Sequence, residues 1–395
     1  MIQENCYLNA LGIICAAGNN GQQVKSNIQA GKINLLKSSD YHAGPALPLG
    51  LVDCELPPIP LADKKWQSRN NQCALAALEQ IRPAVEEAIN QFGSHRIAII
   101  IGTSTSGIAE SEKAIEQWVS TDTVPDSYHY GLQEMGAPAQ FIAEVFGTTG
   151  PTYGISTACS SGAKAIATAQ RLLSAGLCDA VIAGGVDTMC KLTVQGFSSL
   201  QAVSNEVCNP FSLNRKGINI GEGAALFLIS GNKSGVELLG AGESSDAHHI
   251  SAPEPNGAGA IKCMQAALDD AQIAANQIDY INLHGTATEL NDQMESTAVQ
   301  HIFGTNTLCS STKPFTGHTL GAAGAIEAGI CWLMLADKQQ RFVPPHLWDE
   351  EVDPQLASIK LVSKSSIETN SINYALSNSF AFGGNNISLL LGRMS

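Results

Sequence analysis

Short apolar runs alternate along this chain with longer segments in which apolar residues recur at helical spacing. The runs end at glycine or polar residues, as buried β-strands do, and cover residues 96–102, 151–157, 179–184, 224–229, 279–284 and 386–391. The helical segments cover residues 71–91, 163–173, 258–271, 292–303 and 321–335. Because strands and helices alternate throughout, the pattern predicts a layered α/β fold.

The chain is too long for one simple domain. It has 395 residues, yet no linker-like stretch interrupts the alternation of strands and helices. We therefore predict two closely packed halves, residues 1–231 and 232–395. The polar, glycine-containing segment 230–235 is the predicted boundary between them.

Composition narrows the class of protein. Hydrophobic residues make up 44% of the chain and charged residues 15%, which is typical of a compact soluble protein. The first basic residue is Lys25 and no apolar run is long enough to span a bilayer, so we expect neither a secretory signal nor membrane insertion. The eleven cysteines form no CxxC pair, which argues against a disulfide framework and favours the reducing cytoplasm. A net charge of −14 argues against nucleic-acid binding.

One cysteine stands out because of its surroundings. Cys159 lies in Gly154-Ile-Ser-Thr-Ala-Cys-Ser-Ser-Gly162, between the predicted strand at 151–157 and the helical pattern that begins at Ala163. Unpaired N–H groups and the dipole at a helix N-terminus favour a thiolate, which is the nucleophilic form of cysteine. The pattern indicates a reactive thiol, with a buried structural cysteine as the alternative.

Two of the nine histidines lie in turns rich in glycine and threonine. His284 ends the predicted strand 279–284, and His318 ends the segment Ser311-Thr-Lys-Pro-Phe-Thr-Gly-His318. Ligand sites of open α/β sheets gather beyond the carboxyl ends of strands, which favours a functional role for such histidines. Neither is accompanied by a further ligand motif, so the sequence carries no metal-site signature.

Five segments carry a resemblance to a known family. They are Thr157-Ala-Cys-Ser-Ser-Gly162, Asn209-Pro-Phe-Ser-Leu-Asn-Arg-Lys-Gly217 leading into Gly221-Glu-Gly223, His284-Gly-Thr-Ala-Thr288, Ser311-Thr-Lys-Pro-Phe-Thr-Gly-His-Thr-Leu-Gly-Ala-Ala-Gly324, and Asn378-Ser-Phe-Ala-Phe-Gly-Gly-Asn385. In these segments and in their order the chain resembles the β-ketoacyl-[acyl-carrier-protein] synthases. These are condensing enzymes of the thiolase-like superfamily, and the resemblance is to their type II elongating members.

The resemblance implies the thiolase-like fold, with two duplicated α/β halves in a five-layer αβαβα arrangement. It implies an acyltransferase that joins an acyl group, held as an acyl-cysteine, to malonyl-acyl-carrier protein by decarboxylative Claisen condensation, in fatty-acid or polyketide synthesis. Both substrates are thioesters on the phosphopantetheine of an acyl carrier protein, so no separate cofactor and no metal is implied. The implied assembly is a homodimer, or a heterodimer with a ketosynthase-like subunit.

The resemblance also implies roles for individual residues. Cys159 is similar to the acyl-accepting nucleophile, and its N–H, with that of Phe382 in the aromatic gate, is similar to the oxyanion hole. The other implied site residues are the histidine pair, the active-site lysine and two supporting residues: His284, His318, Lys313, Glu327 and Phe380. The residues alone leave an alternative for each of these roles. Lys313 could be a solvated surface lysine, and Glu327 could be a buried structural partner of a cation. Phe380 and Phe382 could be ordinary core aromatics.

The acyl carrier protein is acidic and this chain is acidic overall. Docking of the carrier would therefore need a local basic patch on the chain. Two clusters resemble the carrier-docking positions of the family: Lys64, Lys65 and Arg69, and Arg215 with Lys216. The alternative for both is an ordinary solvated face. If the clusters dock the carrier, reversing Arg69 and Arg215 to glutamate should weaken carrier binding and leave the fold intact.

Three positions depart from the family pattern. Glu289 stands where proline is usual, Ala381 where glycine is common, and Ser212 where aspartate is common. Glu289 puts a charge near the expected pantetheine entrance, and Ala381 restricts the backbone beside the gate. These departures favour a specialised member, such as one serving a polyketide or aryl-polyene pathway.

Other functions remain open at this level. A coenzyme A thiolase shares the fold but uses a second cysteine where this chain has His318. A non-catalytic chain-length factor lacks the nucleophile that Cys159 supplies, although the chain could be the catalytic half of such a heterodimer. Acyl hydrolysis by a cysteine and a histidine would need an oriented base and access for water.

Overall fold

The computed structural model describes residues 5–337, 342–363 and 372–394. Its helices are α1 (Gly21–Gln29), α2 (Arg69–Phe92), α3 (Ile108–Thr121), α4 (Ala137–Phe146), α5 (Ser161–Ser174), α6 (Lys191–Ser199), α7 (Ala258–Ala271), α8 (Glu289–Phe303), α9 (Lys313–Thr316) and α10 (Ala323–Ala336). Its strands are β1 (Cys6–Cys15), β2 (Leu36–Ser38), β3 (Leu47–Leu49), β4 (Ile97–Gly102), β5 (Thr152–Ile155), β6 (Ala180–Asp187), β7 (Gly223–Ser230), β8 (Val236–Ser245), β9 (Tyr280–Asn282), β10 (Leu308–Ser310), β11 (Lys360–Leu361), β12 (Tyr374–Phe380) and β13 (Asn385–Arg393). Residues 1–4, 338–341, 364–371 and 395 of the predicted halves lie outside the described residues.

The two halves repeat one strand topology. The 11-stranded sheet runs β5-β4-β6-β7-β1 and continues β8-β13-β12-β9-β10-β11, and β2 pairs with β3 separately. The strands of each half can be numbered in chain order, leaving out β2, β3 and β11. From the central pair β1 and β8 outwards, both halves then have the same order: first, fifth, fourth, second and third strand. This repetition confirms the predicted duplicated α/β fold. The halves join where β1 pairs with the start of β8, a short antiparallel contact that begins at Cys6 and Leu238.

Helices cover both faces of each half, and the burial pattern of β4 shows how. Ile97, Ile99 and Ile101 face the outer cluster with α2, whereas Ala98 and Ile100 face a central cluster that contains α5 and α10. On the second half, Leu376 and Leu390 likewise pack with α7, while neighbouring strand positions face the same central cluster. The layers are therefore α2 with α4, the first half of the sheet, α5 with α10, the second half of the sheet, and α7 with α8, which confirms five layers.

The strands and helices predicted from the pattern are present, with ends shifted by a few residues. The pattern missed the short strands β2, β3, β10 and β11, the helices α1, α3, α4, α6 and α9, and the longer strands β1, β8 and β12. Two of these have a local cause: β1 carries a register shift between Leu8 and Ala10, which breaks the alternation of side chains. In β8 the backbone of α7 packs so closely that a Cβ on Gly242 would lie 2.0 Å from the carbonyl oxygen of Cys263. Glycine is required there, and it hides the strand pattern.

Small residues also let α5 and α10 approach at their N-terminal ends. A Cβ on Gly162 would lie 2.9 Å from the Cβ of Ala325, and a Cβ on Gly324 would lie 2.7 Å from the Cβ of Ala163. The two halves are thus in close contact at the middle layer.

Among the described residues, none of the helices combines the length and apolarity needed to cross a bilayer.

A buried carboxylate fixes the start of α2. Glu222, which precedes β7 and is fully buried, accepts hydrogen bonds from Arg69 at 2.5 Å and 3.0 Å. It also accepts from the backbone N–H groups of Val52 at 3.0 Å and Met189 at 3.1 Å. Four separated segments therefore converge on one buried charge.

Replacing Arg69→Ala should lower the free energy of unfolding by about 3 kcal/mol, because Glu222 would remain buried without its cation. The matched control is Arg82→Ala on the same helix. Arg82 pairs with the exposed Glu79 and Glu86, and its loss should cost less than about 1 kcal/mol. Urea denaturation measures both, and equal losses for the two variants would contradict the prediction.

Candidate active site

A strained turn presents Cys159 between β5 and α5. Ala158 has φ +53°, in the left-handed region that a residue with a Cβ seldom adopts, and the N–H of Ser161 donates to its carbonyl at 3.1 Å. The thiol precedes α5 by two residues and is 4% exposed. Cys159 thus lies at the helix entrance that the sequence predicts, but in a buried setting.

His318 from the second half meets the thiol directly. Its Nε2 lies 3.0 Å from the Sγ of Cys159. The backbone of His318 is held from the first half, since its N–H donates to Asn219 at 2.6 Å and its carbonyl accepts from Gly221 at 2.9 Å. The His318 Nδ1 atom is buried and has no hydrogen-bond partner in the described part of the chain.

His284 completes the cluster. Its ring centre lies 5.4 Å from that of His318, with the two rings nearly perpendicular at 82°. The residue follows β9, and the carboxylate of Glu295 on α8 accepts from the backbone N–H groups of His284 at 2.8 Å and Gly285 at 2.7 Å. Glu295 therefore fixes the turn that carries the imidazole. Sequence reasoning missed it because a glutamate within a helix gives no local sign of burial.

Lys313 and Glu327 form a buried ion pair beside the histidines. Their side chains are 1% and 2% exposed. The Lys313 ammonium also donates to the carbonyl of His284 and lies 3.5 Å from His284 Nδ1. Since an ammonium group only donates, this contact favours an unprotonated Nδ1 and leaves the Nε2–H of His284 as its donor.

Burial controls the charge of the cluster. It raises the pKa of the Cys159 thiol to about 12, while the Lys313 charge and the Phe382 amide act against it. Burial also holds the pKa of His318 and of His284 well below the usual range, and the Lys313 charge adds to this effect. The thiol and both imidazoles are therefore neutral at rest, which corrects the expectation of a resting thiolate. The dipole of α5 does not compensate for the loss of water.

One cavity of about 470 Å³ connects these groups to the surface. The cavity is lined by Cys159, His284 and His318 together with Phe380 and Phe382. The Phe382 ring packs on Phe197 at 5.6 Å between ring centres. Because the backbone amides of Phe382 and Cys159 both lower the thiol pKa, two N–H groups lie close to the sulfur. Such a pair can stabilise an oxyanion formed there.

Asp187, the last residue of β6, is a second buried residue that the sequence did not reveal. Its carboxylate accepts from the Thr103 hydroxyl at 2.6 Å and from the Thr105 N–H at 2.9 Å in the first half. It also accepts from the N–H of Gly321 at 2.6 Å, just after His318. The only sequence signal is an aspartate at the end of an apolar run, which resembles an ordinary strand end. In the structure it anchors the His318 turn to the first half.

The two arginines among the predicted carrier-docking residues form ion pairs with carboxylates elsewhere in the chain. Arg69 is bound to the buried Glu222. The Arg215 side chain is 6% exposed and donates to Asp353 at 2.6 Å and to the Ser212 carbonyl at 2.8 Å. Glutamate at either position would face a carboxylate, which corrects the expectation that the fold would stay intact after charge reversal. The docking role of both arginines stays a prediction. The sequence could not show these partners, which are distant along the chain.

The three lysines of the docking prediction are more accessible. Lys64 is exposed and donates to the Asp126 carbonyl at 2.7 Å. Lys65 lies over the Trp66 ring at 4.5 Å. Lys216 is exposed beside Glu206 at 3.3 Å. Their docking role stays a prediction.

The cluster also offers metal-ligand atoms. The thiol and imidazole donors of Cys159, His284 and His318 all lie within 4.8 Å of one another. Thiolate and imidazole ligands suit a thiophilic ion such as Zn²⁺. The buried Lys313 ammonium, 3.5 Å from His284 Nδ1, would repel a cation at this place.

Two models of one protein family match this chain. The family model described as "Beta-ketoacyl synthase, N-terminal domain" matches residues 62–234, and that of the C-terminal domain matches residues 236–347. A 3-oxoacyl-[acyl-carrier-protein] synthase 2 of Staphylococcus aureus (strain COL) is 34% identical over 351 residues, covering 83% of each protein.

Two solved structures are similar to this chain over nearly its full length. A ketosynthase (ApeO) in complex with its chain length factor (ApeC) from Xenorhabdus doucetiae is 44% identical with a TM-score of 0.93, covering 99% of this chain and 98% of that one. A β-ketoacyl synthase from Burkholderia phymatum STM815 is 27% identical with a TM-score of 0.87, covering 99% and 100%.

Replacing Asp187→Asn should destabilise the protein by about 2–3 kcal/mol, because one acceptor becomes an amide donor that faces backbone N–H groups. The control is Asp179→Asn, which precedes the same strand and pairs with Arg96 at the surface. That change should cost less than about 1 kcal/mol. Urea denaturation decides, and a stable Asp187→Asn protein would show that the carboxylate is not an anchor.

Alkylation of Cys159 by iodoacetamide should speed up about tenfold for each pH unit between about pH 7 and 9, because only the thiolate reacts and the raised pKa keeps it scarce. Peptide mass spectrometry separates Cys159 from the other cysteines, and Cys159→Ala gives the background. A rate that is level across this range would mean that the thiol is already ionised.

Proposed function

The chain belongs to the β-ketoacyl synthase family of condensing enzymes, and on this premise we propose how its residues divide the reaction. The reaction is decarboxylative condensation of an acyl thioester with a malonyl thioester, and the enzyme is an acyltransferase. The observation that carries the proposal is the convergence of three groups on one cavity. The Cys159 sulfur lies 3.0 Å from His318, and the His284 ring stands beside it.

In the first step Cys159 receives the acyl group. As the neutral thiol attacks the thioester carbonyl, its proton passes to Nε2 of His318, the nearest acceptor. The tetrahedral oxyanion accepts hydrogen bonds from the N–H groups of Cys159 and Phe382. The carbon–sulfur bond to the carrier then breaks, the leaving thiolate takes the proton, and an acyl-cysteine remains.

In the second step the malonyl thioester loses carbon dioxide. The electron pair of the broken carbon–carbon bond moves into the thioester to give an enolate. The Nε2–H of His284 donates to the enolate oxygen, and His318 donates beside it in the neutral tautomer that carries its proton on Nε2. The enolate carbon attacks the acyl-cysteine, a new carbon–carbon bond forms, and Cys159 leaves as a thiolate that takes a proton from solvent. The Lys313 ammonium stabilises the developing negative charge through its contacts with His284.

Lys313 and Glu327 have a supporting role in this scheme. Burial raises the pKa of Glu327 to about 7, and the Lys313 charge opposes that rise. Lys313 therefore places an ammonium group beside the histidines, and Glu327 offsets its charge when the carboxylate is ionised. Phe380 contacts the His284 ring edge-on, with ring centres 6.1 Å apart, and holds its orientation.

We further propose that the chain is the catalytic subunit of a pair with a second ketosynthase-like chain. The 44% identical relative was solved with its chain length factor. This chain also carries an uncovered apolar face on α3, where Ile115, Trp118 and Val119 are 46%, 45% and 81% exposed. Such a face favours a permanent protein partner. The acyl carrier protein is proposed as the substrate carrier, since the 34% identical relative is named for it.

Incubation of the protein with acyl-carrier and malonyl-carrier thioesters should release carbon dioxide and yield a chain two carbons longer. Cys159→Ser should lose both the product and the acyl mass gain on the intact protein. His284→Ala should keep the acyl mass gain but slow carbon dioxide release about 100-fold or more, because the enolate loses a donor. Cys54→Ser, which alters a partly exposed cysteine, is the matched control and should behave as wild type.

The products also separate the rival functions. Free acid without condensation would indicate hydrolysis, and transfer from coenzyme A without carbon dioxide would indicate a thiolase. Absence of turnover by the protein together with its partner subunit would indicate a binding role. Full activity of Cys159→Ser would overturn the assignment of the nucleophile.

A further inference from the structure

Large apolar side chains stand exposed around the opening of the Cys159 cavity. Leu200 follows α6 and Leu290 lies in the first turn of α8. Both line the cavity, yet they are 58% and 53% exposed. The exposed residues Gln201, Lys216 and Glu289 line it with them. We name these five residues the mouth rim.

The mouth rim has no positive excess. Lys216 is its one cation, and it lies 3.3 Å from the exposed carboxylate of Glu206. Glu289 adds a negative charge in the first turn of α8. Arg215 lines the cavity as well, but its side chain is 6% exposed and its charge is matched by Asp353. On a chain with a net charge of −14, this opening offers an acidic partner no electrostatic attraction.

We propose that the mouth rim receives the acyl carrier protein mainly through apolar contact with Leu200 and Leu290 rather than through a basic patch. The proposal rests on the proposed function. A thioester that reaches Cys159 remains covalently attached to its carrier while its arm lies in the cavity. The carrier must therefore lie against the opening, where these two leucines are the exposed aliphatic groups that line it in the described part of the chain.

A neighbouring contact extends the surface towards the gate. Ile250 is 79% exposed, and Ser251 and Ala252 beside it line the same cavity. The Ile250 carbonyl accepts from the N–H of Gly383, the residue after Phe382, at 2.8 Å. A carrier that packs on Leu200 and Leu290 thus lies next to a segment bound to the gate. Apolar docking at this place gives the enzyme contact with its carrier despite the unfavourable overall charge.

The test compares two substrates and two kinds of variant. Leu200→Asn and Leu290→Asn should each lower kcat/KM for acylation by an acyl carrier protein thioester about tenfold. Asparagine removes apolar surface that the carrier would bury when it binds. Acylation by the matching small pantetheine thioester, which has no carrier surface, should stay within about twofold for the same variants. Leu177→Asn is the matched control: Leu177 is 55% exposed on the turn after α5 and lies outside the cavity. It should leave both rates unchanged.

The dependence of kcat/KM on ionic strength is an independent test of apolar docking. Raising ionic strength tenfold should change kcat/KM for the carrier substrate less than about threefold, because apolar contact is not screened. Lys64→Glu with Lys65→Glu should have a smaller effect than either leucine variant. A steep fall with salt, or a larger loss in the lysine variant, would overturn the proposal.

Failure of the proposed function looks different. If wild-type Cys159 is acylated by neither thioester, then the assigned chemistry fails and the docking proposal falls with it. If both thioesters acylate wild type and the leucine variants keep the full carrier rate, then only the docking proposal fails. Equal losses with the carrier and the small thioester would place the leucines in the cavity alone, which also rejects the docking role.

Discussion

The close approach of α5 and α10 in the middle layer is the constraint on which the site depends. Gly162 and Gly324 allow each helix to pack against an alanine of the other, at their N-terminal ends. Cys159 precedes one helix and His318 precedes the other, so this packing fixes the 3.0 Å distance between sulfur and imidazole. A side chain at either glycine would push apart the two halves of the reaction centre. The Cys159–His318 contact is thus a consequence of how the two halves of one sheet share a single helical layer.

Burial then sets the chemistry of that pair. Removal of water raises the thiol pKa and lowers the imidazole pKa, so both partners rest in their neutral forms. The same dry environment strengthens every hydrogen bond to a developing charge and keeps water from protonating an enolate. The protein balances these demands with one buried cation, Lys313, which is held by Glu327. A resting thiol that ionises only against a substrate is also protected from unwanted reactions.

Buried carboxylates organise the backbone around this centre. Asp187 and Glu222 each accept backbone N–H groups from segments that lie far apart in the chain, and Glu295 accepts two from the single turn that carries His284. Each therefore acts as a fixed junction between a strand end and a functional turn. The same use of charge binds Arg69 and Arg215 to acidic partners within the chain. The cavity opening carries Leu200, Gln201 and Leu290 beside the oppositely charged Lys216 and Glu289.

The sequence by itself determined the α/β alternation and the family, and it singled out Cys159, His284 and His318 as the candidates for the nucleophile and the histidine pair. These features are local: apolar periodicity specifies strands and helices, and short motifs around Cys159, His284 and His318 preserve the turns that carry them. Only the tertiary structure decided the distances between those motifs, the burial that makes the thiol neutral, and the roles of Asp187 and Glu295. It also decided which arginines are paired. Charge state and ion pairing depend on groups brought together from distant parts of the chain and on the exclusion of water, and neither is encoded in any single segment.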